Sequence, residues 1–198
     1  MIFHETTLPG AYLIDLERIE DDRGFNARTW CEQEFADQGL TSGIAQSNTM
    51  YNGRAGTLRG MHWQVAPAGE NKLFRVLSGA IHDVILDLRE GSETYGQWES
   101  FRLSAGDGRL LYVPEFFAQG YQTLEDDTEV AYQVSVPYTP DHGRGMRWDD
   151  PAFDFDWPFR SRRSPRRTSS GRTSCRPVPC PNAHDHRRLR AEAPGGAG

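Results

Sequence analysis

Residues 72–91 decide the predicted fold and read KLFRVLSGAIHDVILDLREG. Apolar and polar side chains alternate in this stretch. The alternation breaks at Ser78-Gly79, resumes, and stops at Gly91. A period of two is typical of β-strands, and two such runs separated by a glycine turn predict a β-hairpin.

The same pattern continues outward along the chain. Residues 106–114 and 119–136 read GDGRLLYVP and QGYQTLEDDTEVAYQVSV, with turn residues at 106–108 and 125–127. One helix is predicted around residues 31–40, closed by a glycine. Many short strands with few helices predict an all-β fold, a sandwich or a jelly-roll barrel with minor helices.

The composition changes after Pro158. Residues 160–198 contain 10 arginines and two acidic residues, and their large aliphatic residues are Val178 and Leu189. Such a segment buries too little apolar surface to offset the entropy of ordering it. We therefore predict one domain over residues 1–159 and a basic, disordered C-terminal tail over 160–198. The tail composition is also what a GC-rich gene yields in a shifted reading frame, which is an alternative hypothesis.

The charge and cysteine content bound the class of protein. The net charge is −6, but residues 1–159 carry 12 basic and 26 acidic side chains. An acidic domain argues against nucleic acid as the main partner. Cys31 is the one cysteine of this domain, so it forms no disulfide there. The N-terminus has no signal-peptide pattern and no apolar run reaches membrane-spanning length, so we expect a cytoplasmic protein without a membrane partner.

The histidine spacing argues against a metal site. His62 has no histidine two residues away on either side, although cupin-type barrels that bind a metal commonly have such a pair. His82 precedes Asp83 but shares its strand face with apolar residues, which indicates packing. The acidic run at 147–158, RWDDPAFDFDWP, is interpreted as a solvated loop. We predict neither a metal nor another cofactor.

Two polar residues stand out within apolar strand patterns. His62 lies in TLRGMHWQ, residues 57–64, where Met61 and Trp63 should point to the opposite face. The imidazole is therefore either a satisfied core group or part of a cavity. Lys72 is the only lysine in 198 residues. Its ammonium suits an oxyanion or a phosphate, and the alternative is a lysine that reaches out to solvent.

Tyr132 completes a set of groups that could transfer protons. On its own it is interpreted as a packed core tyrosine, because it shares a strand face with two valines. Together with His62, Lys72 and nearby arginines, it forms a set that suits proton abstraction beside a carbonyl on a substrate that carries phosphates.

Five segments together resemble the dTDP-4-dehydrorhamnose 3,5-epimerase family. They are DDRGF, GTLRGMHWQ, KLFRVLSGAIHDVILDLREGSETYGQW, LYVPEFFAQGYQTLEDDTEVAYQVSVPYTP and RWDDPAFDFDWP, in this order. The resemblance runs from about residue 8 to Pro158. It implies a metal-free cupin-type jelly roll that forms a homodimer and acts on a nucleotide-linked 4-keto-6-deoxy sugar.

The resemblance also implies a role for each catalytic residue. His62 would be the general base that removes the proton next to the C4 ketone. Lys72 would contact the substrate and stabilise the enolate oxygen. Tyr132 would deliver a proton to the opposite face of the sugar, which inverts the carbon. An imidazole titrates near neutral pH whereas a phenol stays protonated, so these residue types suit these roles.

The resemblance implies substrate-binding residues as well. Arg23 and Arg59 match the diphosphate ligands of the family. Gln46 and Asn48 match its substrate-contacting segment, and Tyr138 falls where the family stacks an aromatic ring on the thymine. Gln119 is a further substrate-binding candidate, since its amide can hydrogen-bond a sugar or phosphate.

The chain departs from the family pattern at several positions. Gln119 stands where the family has a histidine, so a second histidine–aspartate pair with Asp83 is unavailable. Arg28 and Gly143 stand where the family often has glutamates. In the family, the aspartate that orients the catalytic histidine comes from a C-terminal segment after the WP motif; here that region is the arginine-rich tail, with Ser169 near the expected place of the aspartate.

The sequence therefore predicts a nucleotide-sugar epimerase that acts at C3, C5 or both in deoxysugar biosynthesis. Two alternatives stay open. One is a ketoisomerase, which uses the same enolisation but moves the carbonyl. The other is a binding module of the same fold without turnover.

Overall fold

The computed structural model describes residues 1–159, which form thirteen strands and one short helix. The strands are β1 Ile2–Glu5, β2 Tyr12–Asp15, β3 Arg18–Asp21, β4 Gly24–Ala27, β5 Gln46–Asn52, β6 Leu58–Gln64, β7 Lys72–Ser78, β8 Ala80–Asp87, β9 Trp98–Ser104, β10 Leu110–Val113, β11 Phe117–Thr123, β12 Thr128–Val134 and β13 Gly143–Gly145. Helix α1 spans Glu32–Asp37. The predicted tail, its boundary and Ser169 concern residues that lie outside this range.

Two antiparallel sheets face each other. The six-stranded sheet has the order β1-β2-β10-β7-β12-β5, and the five-stranded sheet has the order β13-β6-β11-β8-β9. Strands β3 and β4 form a separate two-stranded hairpin. From β5 onwards the chain passes from one sheet to the other between every pair of consecutive strands except β8 and β9. This is the all-β jelly roll that the sequence predicts.

The hairpin predicted over residues 72–91 is wrong, although both of its strands exist. Strand β7 pairs with β10 and β12, whereas β8 pairs with β11 and β9, so the two strands belong to different sheets. The chain crosses between the sheets at Gly79, which has φ +74°. A Cβ at this position would lie 2.4 Å from Thr128 Oγ1, so only glycine fits. The crossing lets the apolar face of each strand pack against the other sheet, which a hairpin within one sheet cannot do.

The main core lies between the sheets. The five-stranded sheet contributes buried aliphatic and aromatic residues, among them Ile81, Ile85, Leu103, Phe117 and Tyr121. The six-stranded sheet contributes Phe74, Val76, Leu111, Val113 and Val130. These two sets define which side of each strand faces the interior.

Helix α1 covers the other side of the six-stranded sheet. Its Phe35 packs with Leu73, Tyr112 and other residues in a second buried cluster. The helix ends before Gly39, which adopts φ +71°. A glycine in this left-handed conformation is a common helix terminator, and the helix predicted around residues 31–40 is confirmed. No helix in residues 1–159 is both long and apolar enough to cross a membrane.

The acidic run at 147–158 is more than a solvated loop. Phe153 is buried, and Phe155 and Trp157 pack with it on the outer face of the five-stranded sheet. The exposed carboxylate of Asp156 hydrogen-bonds His82, whose ring also contacts Trp157. The aromatic residues therefore cover this sheet while the carboxylates stay at the surface. The predicted packing role of His82 is confirmed.

Candidate active site

A bulge in β6 places two site residues on the inner side of the sheet. Arg59 lies opposite Tyr121 of β11 and His62 lies opposite Gln119, so three steps along β6 match two along β11. Strict alternation would put residues 59 and 62 on opposite faces. Because one extra residue is inserted, both can face the interior. Met61 is fully buried in the outer cluster, as predicted.

Gly60 makes this bulge possible, and Gly60→Ala should destabilise the protein. Gly60 has φ +116°, and a Cβ there would lie 2.3 Å from the Gly120 Cα. Backbone strain and a backbone clash together should cost more than about 2 kcal/mol of unfolding free energy, measured by urea denaturation. Gly43→Ala is the matched control, since nothing lies within 4 Å of a Cβ there. Equal unfolding midpoints for the two variants would contradict this account of the bulge.

His62 combines an accessible ring with a lowered pKa. The residue is exposed, while its neighbours Met61 and Trp63 pack on the outer side of the sheet. Partial burial of the ring lowers the pKa of His62, and the positive charge of Lys72 lowers it further. The imidazole is therefore neutral at neutral pH and able to accept a proton. Within residues 1–159 no side chain hydrogen-bonds its ring.

Lys72 begins β7 with its ammonium group inside the protein. The residue is 8 % exposed, so the alternative of a lysine reaching out to solvent is wrong. Its Nζ donates to the His62 carbonyl oxygen at 3.1 Å and lies 3.4 Å from Glu70 Oε1. Burial lowers the pKa of Lys72, and the carboxylate of Glu70 opposes that effect.

Tyr132 projects from β12 of the facing sheet. Its ring stacks on Phe74, with centroids 5.0 Å apart, and packs against the main core. Burial raises the pKa of the Tyr132 phenol, and the negative charge of Glu70 raises it further. The hydroxyl is therefore protonated at neutral pH and can act as an acid.

The base candidate and the acid candidate belong to opposite sheets. His62 is on the five-stranded sheet, while Tyr132 and Lys72 are on the six-stranded sheet. A molecule that enters between the sheets would have the imidazole on one side and the phenol on the other. This is the arrangement that inversion of a carbon requires, because one proton leaves from one face and another arrives at the opposite face.

Gln119 and Asp83 form a buried pair beside His62. Gln119 Nε2 donates to both carboxylate oxygens of Asp83, at 3.2 and 3.0 Å. Burial raises the pKa of Asp83 to about 8, although this hydrogen bond and the charge of Lys72 oppose the shift. The amide thus occupies the place of the histidine that the family pattern has there. The carboxyl of Asp83 is engaged by Gln119 and does not orient His62.

Asp83 should make stability depend on pH. Its pKa is about 8 in the folded protein and 3.8 when unperturbed, so between these values the folded state holds a proton that the unfolded chain has lost. Stability from this group is therefore present at low pH and lost as the pH rises towards 8. Asp83→Asn should raise the thermal midpoint at pH 9 by at least about 3 °C, but not at pH 5. An equal effect at both pH values, or the same profile for the exposed control Asp22→Asn, would contradict this assignment.

Two of the predicted binding residues lie near Tyr132, and a third is hydrogen-bonded to one of them. Asn48 is opposite Tyr132 in the β5–β12 ladder, and Gln46 is two residues away on the same face. The Gln46 side-chain oxygen accepts a hydrogen bond from the Tyr138 backbone N–H at 2.6 Å. Tyr138 is 54 % exposed, which leaves ring surface accessible for stacking.

The two predicted diphosphate ligands are placed differently. Arg59 Nε donates to the buried Asn52 Oδ1 at 2.7 Å, which fixes the guanidinium on the inner side. Arg23 lies in the separate β3–β4 hairpin and forms an ion pair with Asp21 at 2.6 Å. Its side chain is 84 % exposed. The hydrogen bonds of Arg23 stay within its own hairpin and do not join it to the residues around His62.

Two further polar residues of the site, Asn52 and Glu70, are not among those predicted from the sequence. Asn52 lies on the same face of β5 as Gln46 and Asn48, although Met50 stands between them, and repeated amide side chains on an inward strand face are a recognisable signal. Glu70 lies two residues before Lys72, the only lysine of the chain. The rarity of lysine draws attention to Lys72, but it does not indicate that Glu70 is its ionic partner. Within residues 1–159 no group of three or more histidine, cysteine or acidic side chains could hold a metal ion.

The fold and the site define an acid–base centre within a jelly roll, built around a cation that can bind an oxyanion. Comparison with known proteins identifies the family. Residues 5–174 match the family model described as dTDP-4-dehydrorhamnose 3,5-epimerase. The chain therefore belongs to the dTDP-4-dehydrorhamnose 3,5-epimerase family.

Individual relatives cover most of the chain. The dTDP-4-dehydrorhamnose 3,5-epimerase of Sinorhizobium fredii is 39% identical over 158 residues, which are 80% of this chain and 81% of that protein. The enzyme of the same name from Methanothermobacter thermautotrophicus is 40% identical over 157 residues, 79% of this chain and 84% of that protein. A crystal structure of the Bacillus anthracis enzyme with TDP and PPi bound has a TM-score of 0.78 and 39% identity, covering 81% of this chain and 91% of that one.

Proposed function

We propose that this protein is an epimerase of a dTDP-linked 4-keto-6-deoxy sugar in deoxysugar biosynthesis. It inverts C3, C5 or both by removing a proton next to the ketone. The observation that carries the proposal is the placement of His62 and Tyr132 on opposite sheets with Lys72 between the sheets. The membership of the chain in the epimerase family supports the choice of substrate class.

The proposed reaction consists of two proton transfers. The neutral His62 imidazole takes the proton from the carbon next to C4, and the electron pair moves to the ketone oxygen. The Lys72 ammonium stabilises the resulting enolate. The Tyr132 hydroxyl then gives a proton to the opposite face, and the electron pair returns to the carbon. No electron is gained or lost, so the reaction needs no redox cofactor.

The nucleotide part of the substrate is assigned to the remaining polar residues. We assign Arg59 to the diphosphate, since a guanidinium matches phosphate geometry. Gln46, Asn48 and Gln119 are assigned to polar groups of the substrate, and Tyr138 to stacking on the base. The bound TDP of the Bacillus anthracis relative supports a nucleotide in this family of sites.

We also propose that the protein works as a homodimer in the cytoplasm. The β3–β4 hairpin exposes Ile19 by 74 % and Phe25 by 53 %, together with Arg23. Burial of these apolar side chains against a second copy would be favourable, and Arg23 could then act as a diphosphate ligand from the partner. The free thiol of Cys31 is in keeping with a reducing compartment.

Incubation with dTDP-4-keto-6-deoxyglucose tests the proposed function. Proton NMR of the mixture should show inverted configuration at C3, C5 or both, with the ketone still at C4. A ketone moved along the ring would instead identify a ketoisomerase. Binding of the nucleotide sugar without any change in it would identify a binding module.

A further inference from the structure

Glu70 is a carboxylate of the site that the proposed mechanism does not use. It lies in the short connection between β6 and β7, and its side chain is 12% exposed. Its Oε1 lies 3.4 Å from Lys72 Nζ. Its Oε2 accepts a hydrogen bond from Gln64 Nε2 at 3.2 Å. Both carboxylate oxygens are thus engaged by inward-facing groups of the site.

Gln64 holds the carboxylate in place. The side-chain oxygen of this buried glutamine accepts the Thr139 backbone N–H at 2.6 Å, which fixes the orientation of the amide. Its Nε2 is then directed towards Glu70 and the Ala68 carbonyl oxygen. The carboxylate is therefore positioned before any substrate binds.

The other ionisable groups around Lys72 cannot replace Glu70 as a negative partner. His62, on β6, is neutral or positive. Asp83, on β8, is the second acidic group that acts on the ammonium, but it is fully buried and bonded to a neutral amide. Burial raises the pKa of Asp83 to about 8, so its carboxyl carries a proton at neutral pH. Among the described residues, Glu70 is the one carboxylate close enough to the Lys72 ammonium to form an ion pair with it.

We propose that Glu70 is a positioning residue, the counter-ion that keeps Lys72 charged and directed into the space between the sheets. A buried ammonium without an anion loses its proton readily, and a neutral amine stabilises an enolate poorly. The ion pair is a property of the protein alone. Its consequence for turnover rests on the proposed function.

The same carboxylate acts on the proton donor. Burial raises the pKa of the Tyr132 phenol, the charge of Glu70 raises it further, and Arg59 lowers it. Glu70 thus favours the protonated phenol and the protonated amine together, although the two groups are on different strands. These are the protonation states that the proposed reaction requires.

A single-residue titration tests this role. Because Lys72 is the only lysine in the chain, lysine labelled with 13C at the ε-carbon gives one side-chain NMR signal. In Glu70→Gln this signal should titrate at a pH lower than in the wild type by about one unit or more. The exposed control Glu125→Gln should leave it unchanged. Equal titration of the wild type and Glu70→Gln would overturn the proposal.

Two further measurements keep the result independent of folding and of turnover. Glu70→Asp retains the charge at a longer distance, so Lys72 should titrate at a pH between those of the wild type and Glu70→Gln. A wild-type Lys72 titration in both Glu70→Asp and a folded Glu70→Gln would overturn the proposal. In the wild type, the fall of kcat/KM at high pH should follow the Lys72 titration. In Glu70→Gln, the fall of kcat/KM and the Lys72 titration should shift to lower pH together. An inactive wild type would count against the proposed function only, since the titration would still report the ion pair.

Discussion

His62→Ala is expected to reduce exchange of the substrate carbon-bound proton with solvent by about 10²- to 10⁴-fold, the usual loss when a general base is removed. The imidazole is neutral and accessible, and it is the base candidate on the five-stranded sheet of the site. Binding of dTDP should change little, because the base is assigned to the sugar and not to the phosphates. Proton NMR in D2O and calorimetric titration with dTDP measure the two quantities.

His4→Ala is the matched control for this variant. His4 is an exposed histidine that pairs with Asp15, and it lies on the edge strand β1, with β2 and β10 between it and β7. It should exchange the substrate proton at the wild-type rate. Wild-type exchange in His62→Ala would remove His62 from the mechanism, and a parallel loss of dTDP binding would assign it to the nucleotide instead.

Tyr132→Phe should separate exchange from inversion. The substitution retains the ring that stacks on Phe74 but removes the proton donor of the six-stranded sheet. The enolate still forms, so deuterium from solvent should enter the substrate from the His62 side. Inverted product should fall by about 10²-fold or more, because no acid remains on the opposite face. NMR of substrate and product in D2O follows both events in one sample.

Tyr51→Phe is the control for the loss of a phenol. Tyr51 is 62 % exposed and hydrogen-bonds Asp127, so its hydroxyl is outside the site. Its inversion rate should match the wild type. Equal losses of exchange and inversion in Tyr132→Phe would mean that this tyrosine assists proton removal and is not the acid of the second step.

The strand pattern predicts the fold class because alternation reports burial on one face, which is a local property. It does not predict which strands share a sheet. The runs around Gly79 have the sequence pattern of a hairpin, yet the chain crosses between sheets there because the two apolar faces must pack on each other. Partner choice depends on the whole core and is therefore not readable from one turn.

The same limit applies to the site, where local alternation is predictable from the sequence but contacts between strands are not. Alternation correctly places Met61 behind His62, because the side chains of these two neighbours point to opposite faces of β6. It cannot bring Arg59 to the same side, since the bulge depends on the close approach of Gly60 and Gly120 from two strands. Glu70 was missed for a related reason. Its role arises from the folding of a connection onto the buried Lys72, and no periodicity marks such a contact.

Gln119 illustrates what a motif can and cannot say about a substitution. The sequence shows that a histidine–aspartate pair is unavailable, which is correct. The structure adds that the amide bonds the carboxyl of Asp83 directly. Burial raises the pKa of the Asp83 carboxyl, and the hydrogen bond from this uncharged amide offsets that shift only in part. The electrostatic consequence depends on depth of burial, which only the fold determines.

The most direct test of the central claim is the fate of solvent deuterium during the first turnovers in D2O. If the base and the acid lie on opposite sheets, every inverted carbon in the product formed from dTDP-4-keto-6-deoxyglucose should carry deuterium. The reason is that the delivered proton comes from the Tyr132 hydroxyl, which exchanges with solvent. Mass spectrometry and NMR of product isolated at low conversion measure this. Inverted product that retains the original proton would contradict the account, since it would require one group to remove the proton and return it to the other face.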